Sequence, residues 1–309
     1  MKKIRLIIPY FGKLPKFFPY FLLTAKRNKK IDFLIYTDQN VDQLEILNAE
    51  NIEFKTLSFD DLRKKVQSKF DFEISLKTPY KLCDYKVAYG FIFEEELKGY
   101  DYWGFCDTDV LLGDIYQFLE EHRFFENDYA RYGLLGHLQI FKNSQEVNHV
   151  FMSGQGLNYR LDYHNVFTSE QNFIFDEAEG IQKLFKKSGF EQLQDKFFDD
   201  IDISHFSFRE YGEDEPKRYY SWSQKHGLKS INLIDGKIVV KHPLYTHFQK
   251  RKIECPEFEL VESFYVIPNK LVFGEELLIQ EIEEVTKNKF YWDYFKSTFL
   301  KKFKMEKWS

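Results

Sequence analysis

Short apolar runs alternate with amphipathic segments through the first hundred residues of the chain. Uninterrupted apolar runs predict buried strands, and apolar residues spaced three or four apart predict helices. We therefore expect strands at residues 4–9, 31–37, 52–57 and 102–106, and helices at residues 16–26, 59–70 and 81–97. Strands that alternate with helices indicate an α/β fold with a mostly parallel sheet. In such sheets ligands bind beyond the carboxyl ends of the strands, so the loops after Pro9, Thr37 and Cys106 are expected at one edge.

The second half of the chain has a less regular pattern. It predicts a strand at residues 136–141, a helix at residues 176–188, and a hairpin at residues 231–241 around Asp235 and Gly236. No linker or repeat divides the chain. We expect one domain over residues 1–272, with halves of about 1–115 and 116–272, and a helical extension over residues 273–309.

Composition narrows the class of protein. The 309 residues are 43% hydrophobic and 30% charged, which is typical of a globular chain, and the net charge of -5 gives no basic field for nucleic acid. The three cysteines have no metal-binding or disulfide spacing, and the apolar run at the start is too short for a signal peptide. The expected compartment is the reducing cytoplasm.

The last residues form a basic segment in an acidic chain. Residues 287–309 hold seven lysines against two acidic residues. On a helix, an aromatic stripe would form from Trp292, Phe295, Phe299 and Phe303. Such a helix suits peripheral contact with an anionic membrane at its inner face, and the alternative is an ordinary helix packed on the domain.

The strongest chemical feature is the sequence Asp107-Thr108-Asp109 at the end of a predicted buried strand. Carboxylates two residues apart on an extended segment project to the same side, where they repel each other unless a cation or proton intervenes. A divalent metal on oxygen ligands would resolve this and leave positions for diphosphate oxygens. The alternative is that the two residues only cap a turn.

The run YWGFCDTDVLLGD, at residues 102–114, resembles the DxD segment of GT-A type glycosyltransferases, especially bacterial enzymes of capsule, O-antigen and lipooligosaccharide synthesis. IRLIIPYFG, IDFLIYTD, PYKLCDYKVAYG and THFQKRK extend the resemblance over residues 4–252. The resemblance implies a Rossmann-like GT-A domain that binds a nucleoside-diphosphate sugar.

The resemblance also implies which residues contact the nucleotide. They lie in five places: the first strand and its loop, the end of the second strand, the segment before the DxD, the DxD itself and the late basic residues. In this sequence they are Pro9, Tyr10, Phe11, Thr37, Asp38, Lys81, Asp84, Lys86, Asp107, Thr108, Lys250 and Arg251. Cationic side chains would neutralise diphosphate charge. For the lysines before the DxD, the alternative is a solvated helix face.

His247 is the implied third metal ligand beside Asp107 and Asp109. An imidazole with two carboxylates suits Mn²⁺ better than Mg²⁺. Three basic residues, at positions 250–252, follow His247 closely, and His242 is the alternative ligand.

Asp176 and Glu177 stand at the start of a predicted helix. Acidic residues favour helix N-termini through capping and the dipole alone. The resemblance instead implies a general base under the acceptor in inverting members, a place that Glu177 fits most closely and Asp176 next. If neither acts, His137 is the next candidate.

The sequence thus predicts a metal-dependent enzyme that moves a hexose from a UDP-sugar to a surface-glycan or glycolipid acceptor. A sugar-nucleotide pyrophosphorylase is one alternative, although its Gly-rich basic loop is missing, since PYFGKLPK carries only Gly12. A non-catalytic carbohydrate-binding protein is another.

Overall fold

The computed structural model describes residues 1–47, 49–210, 217–249, 251–274, 276–287, 289 and 291. The predicted membrane-binding stripe and Lys250 lie outside these residues. Within these ranges, no helix combines the length and the apolar character needed to cross a membrane.

Strands and helices are numbered in chain order. The strands are β1 Ile4–Pro9, β2 Ile31–Thr37, β3 Ile52–Thr56, β4 Tyr102–Cys106, β5 Val110–Leu112, β6 Arg131–Tyr132, β7 Leu138–Lys142, β8 Gln192–Leu193, β9 Asp199–Asp200, β10 Lys217–Ser223, β11 Gly227–Ile234, β12 Lys237–Lys241, β13 Tyr245–His247, β14 Ser263–Ile267 and β15 Lys270–Phe273. The α-helices are α1 Phe18–Arg27, α2 Phe59–Gln67, α3 Leu82–Tyr85, α4 Tyr89–Ile92, α5 Ile115–Glu121, α6 Gln145–Asn148, α7 Tyr163–Thr168, α8 Ile181–Ser188 and α9 Ile279–Val285.

The described chain divides into two compact units, each discontinuous in sequence. The first comprises residues 1–15, 28–108 and 115–196, and the second comprises residues 16–27, 109–114 and those from 197 onward. These bounds differ from the predicted halves, because the chain passes between the units several times without a linker that composition would mark.

The first unit contains a seven-stranded sheet in the order β3-β2-β1-β4-β7-β6-β8. β1 pairs in parallel with β2 and β4, and β2 with β3, while β7 runs antiparallel to β4. The carboxyl ends of β1, β2 and β4 therefore lie at one edge, as predicted. This confirms the α/β fold class with a mostly parallel sheet flanked by helices.

Burial explains why these segments are strands. Every residue of β4 is buried, and so are most of β1 and β2, which suits uninterrupted apolar runs in a sheet covered by helices. The core joins sheet residues such as Trp103 to Leu62 of α2 and Leu184 of α8. Ser58 caps α2 by accepting a hydrogen bond from the Asp61 N–H.

The single helix predicted over residues 81–97 is wrong. The chain there forms the short helices α3 and α4 with 3-10 turns beside them. Ala88 and Phe93 leave helical geometry, and a Cβ on Gly90 would lie 2.5 Å from the Trp103 ring. Because this segment packs so closely against β4, it forms short helices and not one regular helix.

The helix predicted over residues 176–188 begins later, at Ile181. Ahead of it the chain turns back so tightly that a Cβ on Gly180 would lie 2.2 Å from the Phe175 carbonyl oxygen. Asp176 and Glu177 therefore belong to a turn and do not open the helix.

The second unit contains a five-stranded sheet, β12-β11-β10-β14-β15, and a three-stranded sheet, β5-β13-β9. The predicted hairpin is confirmed as β11 and β12. Asp235 and Gly236 both have positive φ, 49° and 73°, as the two-residue turn of such a hairpin requires.

Candidate active site

The loop after β1 is tied to the end of β2 in the first unit. The Tyr10 N–H donates to the Tyr36 carbonyl (2.8 Å), and the Gly12 N–H donates to Oδ1 of Asp38 (2.9 Å). Gly12 has a φ of 91°, which favours glycine. Pro9, Tyr10 and Asp38 are at least partly exposed, so this edge is open to a ligand.

Two neighbours of these residues are buried. The Thr37 side chain is inaccessible and accepts a hydrogen bond from the Gln39 N–H (3.2 Å). Phe11 packs edge-on against Phe59, with ring centroids 5.4 Å apart. Both side chains are therefore buried next to the exposed residues of this edge.

Lys86 joins two carboxylates in the first unit. Its ammonium lies 2.7 Å from Oδ1 of Asp107 and 3.1 Å from Oδ2 of Asp176, and it also donates to the Gly136 carbonyl (3.0 Å). These three acceptors match the three protons of an ammonium. The side chain of Asp107 stays 30% exposed, while that of Asp176 is only 5% exposed.

The electrostatics of this cluster follow from burial and from two negative charges beside one positive charge. Burial lowers the pKa of Lys86, but Asp107 and Asp176 outweigh it and hold that pKa well above its ordinary value. Burial, opposed by Lys86 and reinforced by Asp107, raises the pKa of Asp176 to about 7. Asp176 can therefore exchange a proton near neutral pH.

A buried ion pair holds the segment that carries Asp176. Lys81 lies 2.7 Å from Asp84, and both side chains are almost completely buried. The Asp84 carboxylate accepts hydrogen bonds from the N–H groups of Phe173 and Phe175, each at about 3 Å. Lys81 and Asp84, both predicted as nucleotide contacts, thus support the turn before Asp176 from a buried position.

Close approach of the Asp176 carboxylate depends on a glycine. A Cβ on Gly136 would lie 2.4 Å from Oδ2 of Asp176. The Gln139 side chain donates to the Asp176 carbonyl and accepts from the buried Arg131 (3.0 Å). Glu177, favoured from the sequence over Asp176, is half-buried, and the carboxylate beside Lys86 is that of Asp176.

A second cluster lies in the second unit around His247. Its Nε2 is 3.4 Å from Oδ1 of Asp109, and its Nδ1 is 2.8 Å from Oδ1 of Asp200. The short strands β5, β13 and β9 produce this arrangement, since His247 pairs with Val110 on one side and with Asp200 on the other. The Gln249 amide also donates to Asp200 (2.8 Å).

Sequence reasoning missed Asp200 and Gln249. Asp200 lies in a strand of two residues, and no spacing relates it to a histidine 47 positions later. The only available signal was a pair of acidic residues between apolar ones, in FFDDID, and such pairs are common in proteins.

The Arg251 side chain is buried and bound to backbone carbonyl groups. Its guanidinium is buried and donates to the carbonyls of Asp202 (2.9 Å), His205 (2.7 Å) and Phe206 (2.7 Å). Arg251, which was predicted to contact the diphosphate, thus joins three backbone carbonyl groups within the second unit. His242, the rival of His247, is exposed at the end of β12.

Comparison with known proteins places the chain in a family. Residues 6–275 match the family described as "Family of unknown function (DUF6625)", and the chain therefore belongs to that family. No curated protein matches the sequence.

Solved structures of glycosyltransferases are similar to this one, and three of them share 11% identity with the chain. Mouse xyloside xylosyltransferase 1 matches 81% of this chain and 98% of its own, with a TM-score of 0.44. GlyE of Streptococcus pneumoniae TIGR4 (TM-score 0.36) matches 64% of this chain and 46% of its own. The mannosyltransferase Ktr4p of S. cerevisiae (TM-score 0.33) matches 59% and 64%. The chain thus spans less than two thirds of GlyE and Ktr4p, and at these scores the likeness is distant.

Proposed function

We propose that the protein is a divalent-metal-dependent glycosyltransferase that moves a hexose from a UDP-sugar to a surface-glycan or glycolipid acceptor. The observation that supports this most directly is the arrangement of His247. One ring nitrogen of His247 is held by Asp200, and the other faces Asp109, the second carboxylate of the Asp-x-Asp sequence.

The donor set of this cluster fits a metal ion. A carboxylate can only accept hydrogen bonds, so the short contact with Asp200 places the proton of a neutral His247 on Nδ1. The lone pair of Nε2 then faces Asp109. Two ligand atoms about 2.1 Å from one ion stand about 3.0 to 3.4 Å apart, which matches the observed 3.4 Å. Mixed oxygen and imidazole ligands favour Mn²⁺ over Mg²⁺.

Asp107 completes the proposed ligand set through the chain itself. It is two residues from Asp109, so their Cα atoms are at most about 7 Å apart in any conformation. Lys86 contacts Oδ1 of Asp107 and fixes its orientation. When bound, the ion would hold the diphosphate and stabilise the departing UDP.

The nucleotide contacts in the proposal lie at the carboxyl edge of the sheet in the first unit. They are Pro9, Tyr10, Asp38 and Thr108, with Phe11 and Thr37 beneath them. Lys86, whose three protons already meet protein acceptors, holds the carboxylates in place and is not assigned to the diphosphate.

Asp176 and Glu177 compete for the role of general base in an inverting reaction. A pKa of about 7 suits Asp176 for proton transfer near neutral pH, while the half-buried Glu177 keeps the place that the sequence favoured. The replacement that lowers transfer by about 10²- to 10⁴-fold, either Asp176→Asn or Glu177→Gln, identifies the base. NMR of the product anomer tells whether a base is required, since retention of configuration would remove the need.

The metal assignment is tested by isothermal titration of UDP with and without Mn²⁺. We expect Asp109→Asn to abolish Mn²⁺-dependent binding, because an amide does not supply the required charge, and His247→Ala to weaken it by a smaller factor. His242→Ala is the matched control and should bind as the unmodified protein does. Equal UDP binding in EDTA and in Mn²⁺ would exclude the proposed metal site.

The product of the reaction separates the proposed activity from its alternatives. Transfer or slow hydrolysis releases UDP from a UDP-sugar. A pyrophosphorylase would instead consume pyrophosphate and release UTP, and a non-catalytic sugar-binding protein would leave the UDP-sugar intact. The proposed location is the cytoplasm, at the inner membrane face if residues 287–309 bind lipid.

A further inference from the structure

Two large apolar side chains are exposed around the segment that leads to Asp176. Tyr159 is 57% exposed and Ile174 is 54% exposed. Phe173 precedes Ile174 in the chain, and its ring centroid is 5.4 Å from that of Tyr159. All three belong to the first unit, as Asp176 does.

Ile174 has a backbone conformation that its residue type disfavours. Its φ is +55°, in the left-handed region, where a β-branched side chain is a genuine outlier. Such conformations persist only when the surroundings enforce them, and they concentrate at functional sites. Here the buried Asp84 carboxylate enforces it by binding the N–H groups of both neighbours, Phe173 and Phe175.

The exposed Tyr159 lies in a segment whose backbone is fixed by side-chain hydrogen bonds. It lies in a turn in which the Asn158 side chain accepts hydrogen bonds from two backbone N–H groups, those of Arg160 and Leu161. The Asp162 carboxylate accepts another from Gly156 (2.9 Å). Beneath Tyr159, the Phe173 ring rests 5.2 Å from the buried Lys81 ammonium.

We propose that Tyr159 and Ile174 form a platform for a sugar ring of the acceptor glycan, an inference that rests on the proposed glycosyl transfer. An exposed aromatic ring and an exposed aliphatic side chain both suit the apolar C–H face of a hexose. The exposed amides of Gln171 and Asn172, next in the chain, supply hydrogen-bonding partners for hydroxyl groups.

The chain fixes the distance from this platform to the reacting groups. Ile174 of the platform is two residues from Asp176, so their Cα atoms are at most about 7 Å apart. A short oligosaccharide spans that distance. The platform therefore binds a sugar near the acceptor's reacting end, and the surrounding polar side chains favour a glycan over a lipid surface.

The test is a ligand-observed NMR titration of the full chain with lactose and with cellobiose, at saturating Mn²⁺ and UDP. We expect Tyr159→Ala to weaken disaccharide binding about 3- to 10-fold, because a stacking surface is lost. Tyr159→Phe keeps the ring and should bind within about 2-fold of the unmodified protein.

Ile174→Gly separates a binding role from a structural one. Glycine accepts the left-handed conformation without strain, so Tm should stay unchanged or rise by about 2 °C, while disaccharide binding falls about 2- to 5-fold. A lower Tm with unchanged sugar binding would overturn the proposal for this residue.

Donor binding distinguishes failure of the platform from failure of the proposed function. Neither variant should change Mn²⁺-dependent UDP binding. If the unmodified protein binds Mn²⁺ and UDP but neither disaccharide, or if Tyr159→Ala binds both as before, the platform is wrong and the donor site stands. If disaccharides bind through Tyr159 but UDP does not bind with Mn²⁺, the proposed transfer is wrong while the sugar platform remains.

Discussion

At the scale of single residues, charge balance dominates the site in the first unit. Lys86 carries one positive charge between the carboxylates of Asp107 and Asp176, and Asp176 is the more deeply buried of the two. Adding a proton to Asp176 would leave a neutral pair, Lys86 with Asp107. Burial of Asp176 therefore favours its protonated form and raises its pKa.

This balance predicts how stability changes with pH. A carboxyl group whose folded-state pKa is raised stabilises the fold below its unfolded value near 4, and that contribution is lost as pH rises through about 7. The side chain of the Asp176→Asn variant cannot ionise, so this variant does not lose stability in that way. Measured in EDTA, the Tm of the variant relative to the unmodified protein should therefore increase between pH 5 and pH 8. A constant difference over that range would contradict the assignment.

Asp200 has a role that can be separated from that of a metal ligand. It orients His247 by accepting from Nδ1, and loss of such a partner commonly weakens metal affinity 10- to 100-fold. We expect Asp200→Asn to weaken Mn²⁺ binding by about that factor without unfolding the protein, measured by titration calorimetry. Asp235→Asn, in the exposed turn between β11 and β12, should have no effect.

Local sequence identified some of these residues and not others, for a physical reason. Asp107 and Asp109 follow a buried strand, so their position at a strand end could be predicted from the apolar run. Asp200 reaches His247 only through pairing of distant strands. The position of the Asp176 carboxylate beside Lys86 depends on how Asp84 holds the preceding turn, and no local pattern encodes that contact.

At the scale of elements, β4 depends on close contact with β7. A Cβ on Gly104 would lie 2.2 Å from the Gln139 carbonyl oxygen and 2.8 Å from a methyl group of Leu6. Neither the backbone oxygen nor the buried Leu6 can move away easily. Gly104 therefore fixes how tightly the strand that delivers Asp107 fits its sheet.

This contact predicts a large effect from one methyl group. Gly104→Ala should destabilise the fold by at least about 2 kcal/mol, lowering Tm by roughly 4 °C or more, because the sheet must separate locally. Thermal unfolding followed by circular dichroism measures this. A Tm within about 1 °C of the unmodified protein would show that β4 and β7 tolerate a wider spacing.

Three of the elements that the sequence predicted well are strands whose two faces are buried. β1, β2 and β4 fall within a residue of their predicted bounds, because continuous apolar runs leave few alternatives. Apolar spacing was a poorer guide at residues 81–97. There aromatic side chains and Gly90 pack against the sheet in several directions, and the backbone follows the packing through short helices.

At the scale of the whole molecule, the chain divides into two units, each built from segments that are distant in sequence. The division into units falls between Thr108 and Asp109, so the Asp-x-Asp sequence contributes a residue to each. Two peptide bonds join Asp107 to Asp109 across this boundary. Sequence composition gave no sign of this division, because no linker accompanies it.

Ligand binding to the folded chain predicts a stability change that needs no acceptor. A ligand that binds only the folded state at 100 times its Kd stabilises it by about 2.7 kcal/mol. For a chain of this length, Mn²⁺ with UDP should thus raise Tm by roughly 5 °C, measured by differential scanning fluorimetry. Because the effect requires the metal-binding carboxylate, Asp109→Asn should remove most of the shift, and EDTA should do the same to the unmodified protein. His242→Ala should keep the full shift, since that side chain is exposed and lies outside the cluster. An equal shift from UDP in EDTA would mean that nucleotide binding does not involve the metal, and Asp109 and His247 would then need another explanation.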